Sequence, residues 1–160
     1  MSRLDSFIRR MVAQRDVLAE ARRLIADRPG PILELGLGNG RTYDHLREIF
    51  PGRRIIAFDR ALAAHPSSVP PEGDLMLGEI RETAAGLAGI GAALVHADLG
   101  SGKPEIDAAL SRWLPGIVRD LLAEGGIAAS SSPLQIPGLE PLTLPDGVGT
   151  GRYFLCRRGD

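Results

Sequence analysis

The sequence predicts an α/β fold: a doubly wound, mostly parallel sheet, preceded by a helix and closed by a C-terminal antiparallel hairpin. Three observations carry this. Short apolar runs such as ILEL (32–35) and AALVHA (92–97) alternate with longer amphipathic stretches, the pattern of strands buried on both faces between covering helices. The breaks fall on Pro and Gly, as at Pro29-Gly30 and Pro51-Gly52. Glycines and acids follow the apolar runs, at the edge where such sheets bind ligands. With 160 residues, one domain is expected over 1–160.

Residues 4 to 27 read as an amphipathic helix, with Leu4, Phe7, Ile8, Met11, Leu18, Ala21 and Ile25 lining one face. Ser2 with Asp5 is a start signal and Pro29-Gly30 a stop. Acids interleave with its arginines, so residues 1–28 are expected to pack on the domain with a solvated charged face. Residues 31–35 read as a buried strand, Arg41 to Phe50 as a helix, and Arg54 to Asp59 as a second strand. Ala61 to Ala64 suggests a helical turn. The prolines of 65–74 predict an irregular loop. Leu75 to Leu77 is a third strand, Glu82 to Leu87 a short helix and Ala92 to Ala97 a fourth strand. Pro104 to Leu122 is helical, with an interruption expected at Pro115. Residues 123–126 form a turn into a fifth strand, Ile127 to Ser130. Arg152 to Arg157 is the last strand, with Leu142 to Leu144 as its hairpin partner.

The composition is 44% apolar and 24% charged, with a net charge of −1. That balance gives no electrostatic footprint for nucleic acid. One cysteine, Cys156, excludes a disulfide framework and a cysteine metal cluster. The three histidines lack paired zinc spacing, so no metal is expected. No apolar run reaches a membrane span, and the charged N-terminus is no signal peptide. A soluble cytoplasmic protein is expected.

The first strand ends in the chain's most informative stretch: Glu34, then Gly36, Gly38 and Gly40 at alternate positions, then Arg41-Thr42. A phosphate-cradling P-loop is excluded, because the Lys-Ser/Thr pair is missing and the spacing is short. A dinucleotide loop needs a glycine where Arg41 stands, for close helix–strand packing. The third possibility is acid-x-Gly-x-Gly-x-Gly, which these residues fill without a gap. It resembles the first motif of the Rossmann-like (class I) methyltransferases that use S-adenosyl-L-methionine (SAM).

The resemblance runs from about residue 31 to 132 and implies a Rossmann-like methyltransferase fold, with SAM as cofactor. It implies that the glycine loop folds around the methionine part of SAM, with Glu34 helping to fix the loop and the ligand's ammonium group, directly or through water, and that Thr42 and Tyr43 in the following turn touch the ligand. Asp59, ending the second strand, has two oxygens for the paired ribose hydroxyls; a capping role before residues 61–64 is the plain alternative. Arg60 either stacks on adenine or stays in solvent. After the third strand, Glu79 can accept from the adenine amino group and Ile80 can cover the ring. His96 and Asp98, two apart on the fourth strand, share one side and are the candidates for holding the acceptor or removing its proton. A core histidine and a loop aspartate are the alternatives. Tyr153 and Trp113 are expected to fill core or interface space.

The expected function is therefore in-line SN2 methyl transfer from SAM to a small acceptor, in the manner of the small stand-alone bacterial type. A nicotinamide-dependent (NAD(P)) oxidoreductase and a non-catalytic SAM-binding protein are the rivals. The sequence shows no inserted lid, so a large acceptor would need a homo-oligomer to supply the missing wall; neither nucleic acid nor membrane is expected as a partner.

Overall fold

The computed structural model describes residues 1–160. In chain order the elements are α1 (Arg3–Leu24), β1 (Ile32–Leu35), α2 (Arg41–Ile49), β2 (Ile55–Asp59), β3 (Leu75–Leu77), α3 (Ile80–Ala85), β4 (Ala92–Ala97), α4 (Pro104–Leu121), β5 (Leu122–Ser130), β6 (Leu139–Pro141) and β7 (Phe154–Arg158). They build one sheet in the order β3-β2-β1-β4-β5-β7-β6. Strands β1 to β5 pair in parallel, and β7 runs antiparallel between β5 and β6. The strand order reverses at β1, which pairs with β2 on one side and β4 on the other. That reversal opens a crevice beyond the carboxyl ends of the strands.

Period-two alternation sends each strand's side chains to two cores. Leu33, Leu35, Ile56 and Phe58 pack with Leu110, Leu114 and Val118 of α4 and with Ala84 of α3. Ile32, Ile55 and Leu94 pack with Val17, Leu18 and Ala21 of α1 and with Leu46 of α2. Glu34 and His96 lie in register on β1 and β4, so both point to the α1/α2 side.

Several sequence expectations change in the structure. Helix α4 continues unbroken through Pro115. The proline removes one backbone bond, but its ring is buried on the core. The expected turn at 123–126 lies inside β5, as a register shift against β4. Short 3₁₀ turns form at Pro66–Ser68 and Glu72–Asp74, each opened by proline's preset φ. Residues 61–64 bend without becoming helical. The partner of β7 is Leu139–Pro141, not 142–144; Leu142 adds one further bond, from its N–H to the Leu155 carbonyl at 2.8 Å. The capping box of Ser2 and Asp5 starts α1 as its residue types require. Its apolar stripe is buried only from Ala13 onward, and Leu4, Phe7, Ile8 and Val12 stay exposed.

Candidate functional site

The glycine loop begins where β1 ends. The Gly36 and Leu37 N–H groups both donate to the Phe58 carbonyl, at 2.9 and 3.0 Å, which ties the loop to β2. All three glycines have positive φ: 95° at Gly36, 53° at Gly38 and 85° at Gly40. Their surroundings differ. A Cβ on Gly36 would lie 2.8 Å from the Leu99 side chain, and one on Gly40 would lie 2.5 Å from the Ser68 Cβ. Those two glycines let the protein pack against itself. A Cβ on Gly38 would meet nothing within 4 Å, so here the bare backbone faces open space.

Asp59 closes the loop from the β2 side. Its Oδ2 accepts from the Gly38 N–H at 2.7 Å, and its Oδ1 accepts from the Arg60 N–H at 2.7 Å. Each oxygen keeps a lone pair toward the crevice. The end of β2 and the start of α3 hold the rim: Arg60 Nε lies 3.3 Å from Glu79 Oε1, with both side chains largely exposed.

Beside them is a cavity of about 490 Å³, lined by Asp59, Arg60, Glu79 and Ile80 and by Leu99, Ile106 and Trp113. The volume is within the range of small-ligand sites, about 300–1,000 Å³. An acid at one end and apolar walls beyond it suit a sugar diol joined to a flat heterocycle. The residues present therefore fit the adenosine part of SAM. Sequence reasoning placed Trp113 in the core and passed over Leu99 and Ile106. The spacing of Ile106, Leu110 and Trp113 marks one face of α4, but that face reads equally as core. Only the structure separates the two readings, since it leaves Ile106 half in solvent at 51% exposure.

A second cavity, about 560 Å³, adjoins the first at Ser101 and lies beyond β4 and β5. Arg10, Asp98, Ser131, Ser132 and Arg152 are among its walls. Arg10 reaches over from α1, and its Nη1 lies 3.4 Å from Asp98 Oδ1. Nothing in the residue pattern pairs positions 10 and 98; the docking of α1 creates the contact.

His96 is elsewhere. It is fully buried, and its Nδ1 lies 2.6 Å from the Glu34 carboxylate, itself 1% exposed. Its Nε2 is bonded to the Tyr153 hydroxyl and lies 3.3 Å from Gln14 Nε2. Gln14 also donates to Thr42 Oγ1 at 2.9 Å. The network joins α1, β1, α2, β4 and the residue before β7. Burial works against charge on the imidazole, but the Glu34 carboxylate outweighs it and raises the His96 pKa. Burial raises the Glu34 pKa, against the lowering effect of His96. The pair therefore holds a shared proton tightly.

This corrects four sequence expectations. Glu34 is buried against His96 and offers no exposed oxygen to a ligand's ammonium group. His96 has no open face toward an acceptor: it is fully buried, and Glu34, Gln14 and Tyr153 take up its ring nitrogens. Thr42 meets Gln14, not the crevice. Tyr43 is 3% exposed; the first turn of α2 points it into the core, where the Arg47 guanidinium lies 5.0 Å from its ring centre. Asp98 keeps partial exposure and lines the second cavity.

A family model described as S-adenosyl-L-methionine methyltransferase matches residues 1–158. The chain is 48% identical to an S-adenosyl-L-methionine methyl transferase from Silicibacter pomeroyi DSS-3, with 99% of each chain covered and a TM-score of 0.92. At 15% identity it resembles the antibiotic-resistance methyltransferase Kmr, covering 89% of this chain and 92% of that one with a TM-score of 0.58. At 14% identity it resembles a variant of the 16S rRNA (adenine(1408)-N(1))-methyltransferase from Catenulisporales acidiphilia, solved with SAM, covering 89% and 91% with a TM-score of 0.54. The last two share the fold. No curated protein matches the sequence.

Proposed function

The chain belongs to the S-adenosyl-L-methionine methyltransferase family, and from that premise we propose that it methylates a small acceptor seated beyond β4 and β5. SAM supplies an activated methyl group on a sulfonium. The protein's part is placement, which for well-oriented reactants is worth on the order of 7–11 kcal/mol.

The observation that carries the reading is Asp59, bonded to the Gly38 N–H at 2.7 Å at the head of the first cavity. Its free lone pairs grip the ribose hydroxyls. Ile80, Leu99 and Trp113 enclose the adenine, and Glu79 accepts from its amino group once Arg60 swings away. Open space over Gly38 admits the methionine part. Glu34 acts from beneath, holding the loop through His96 without touching ligand. Asp98 is the side chain that faces the acceptor and takes its proton when one must leave. His96 supports this as a positioning residue, because Glu34, Gln14 and Tyr153 fix the strand that carries Asp98. Family membership displaces the dinucleotide alternative, in agreement with Arg41 at the third glycine position of that motif.

A calorimetric titration with S-adenosylhomocysteine and with NAD tests the reading. Binding of the first and not the second is expected. Binding of NAD alone would overturn it. Tight S-adenosylhomocysteine binding with no methyl transfer across a broad acceptor panel would point to a protein that keeps the pocket without turnover.

A further inference from the structure

Building on the methyl-transfer reading above, we infer that the second cavity takes a small, hydrophilic organic anion as acceptor, and that Arg152 reads its carboxylate or phosphate. Ligand sites are usually lined mostly by apolar and aromatic side chains. Apart from Pro133, this one is lined by arginine, aspartate, serine and glycine only. It offers no aromatic side chain on which a phenol or a flipped nucleobase would stack.

The charges around it, two arginines and two aspartates, balance in number but not in pairing. Asp107 is occupied, since its Oδ1 accepts from the Ser101 N–H at 2.8 Å and from the Ser101 hydroxyl at 2.9 Å. Asp98 is matched by Arg10, in a long contact of 3.4 to 3.5 Å. Arg152 takes part in none of the protein's ion pairs, and its guanidinium makes no side-chain hydrogen bond to the rest of the chain. The cavity therefore holds one partly buried guanidinium without a partner of its own, whose planar donors match an oxyanion.

The hydroxyls supply an independent observation. Ser131 Oγ is buried without a hydrogen-bond partner, a costly state unless something else supplies one. A Cβ built on Gly100 would lie 3.5 Å from Ser131 Oγ and 3.7 Å from Ser132 Oγ. Both hydroxyls thus border the same small space. The occupant implied has an oxyanion at Arg152, polar oxygens at Ser131 and Ser132, and a hydroxyl or amine at Asp98. That heteroatom's lone pair forms the new bond to the methyl carbon, the carbon–sulfur bond breaks with its electrons going to sulfur, and the heteroatom's proton passes to Asp98.

The test uses full-length protein saturated with S-adenosylhomocysteine, titrated at constant ionic strength with glycerate, glycerol 3-phosphate, glycerol and catechol. One of the two anions is expected to bind, and which one tells a carboxylate reader from a phosphate reader; glycerol and catechol are expected not to bind. Arg152→Gln should weaken the anion at least about tenfold, and Gly100→Val should block it by filling the space before the two serines. Gly100 lacks a positive φ, so that variant is not strained at the backbone. In both variants the S-adenosylhomocysteine affinity should stay within about twofold of wild type. The inference falls if neither anion binds, if glycerol or catechol binds as well as the anions, or if anion affinity survives Arg152→Gln. Failure of wild-type protein to bind S-adenosylhomocysteine would remove the methyl-transfer reading and this inference with it.

Discussion

Replacing Asp59 with alanine is the sharpest perturbation of the cofactor site. In the structure each carboxylate oxygen spends one lone pair on a backbone N–H at 2.7 Å, Gly38 for one and Arg60 for the other. Two lone pairs remain for two ribose hydroxyls. A hydrogen bond to a charged group contributes about 1.5–3 kcal/mol net. Losses at neighbouring sites do not add, and water replaces part of what is removed. The weakest defensible figure is one such bond, which corresponds to a loss of about tenfold or somewhat more in affinity. The alanine also frees the Gly38 N–H, so the loop loses one of its ties to β2 and keeps those from Gly36 and Leu37 to the Phe58 carbonyl. Asp59→Asn keeps an acceptor for Gly38 but no charge, and should fall between wild type and alanine. Calorimetric titration with S-adenosylhomocysteine measures the effect, with a thermal melt run alongside to show that the variant is folded. A dissociation constant for Asp59→Ala within about threefold of wild type would refute the ribose assignment.

Other consequences are as direct. Gly40→Ala places a methyl 2.5 Å from the Ser68 Cβ at a φ of 85° and should cost about 1–3 kcal/mol in chemical denaturation. Gly38→Asn, at a φ that asparagine tolerates and with open space around it, should leave stability nearly intact but weaken S-adenosylhomocysteine binding. The raised His96 pKa means that the folded state binds more protons than the unfolded chain above the imidazole's ordinary 6.5. Stability from this group is full below pH 6.5 and declines as pH rises through the folded value, by up to about 1.4 kcal/mol per pH unit. His96→Asn should flatten that decline in denaturation curves taken across the range, and an unchanged slope would exclude the network as its source. Burial pushes the Cys156 thiol up to about 11, so a thiol reagent should label it in denaturant and leave the native protein untouched.

The cofactor half of this fold was legible because its parts are local. Gly36, Gly38 and Gly40 announce a tight loop by composition alone, and Asp59 ends a strand that hydrophobicity delimits. The sheet followed from the same punctuation. The second cavity and the buried histidine network are built from long-range contacts: Arg10 with Asp98, Gln14 with His96, and Arg152 across the same cavity as Ser131. No periodicity couples such positions, since docking of α1 and insertion of β7 bring them together. His96 looked available because a strand end in a parallel sheet usually faces the crevice. Its side chain instead enters a core that Gln14 and Tyr153 close; Tyr153 read as a core or interface residue, but nothing in the sequence tied it, or Gln14, to His96.

The buried network ties residue 14 to residue 153 through one imidazole, and so brackets nearly the whole polypeptide. On the ribosome, the stretch carrying Tyr153 emerges after every other segment around the crevice has been made. Until it arrives, the imidazole and its acid lack their last partner, and the strands bearing them have an open flank. A nascent chain should therefore remain unable to hold the nucleoside until translation has passed β7, which leaves little opportunity for a half-made enzyme to sequester cofactor.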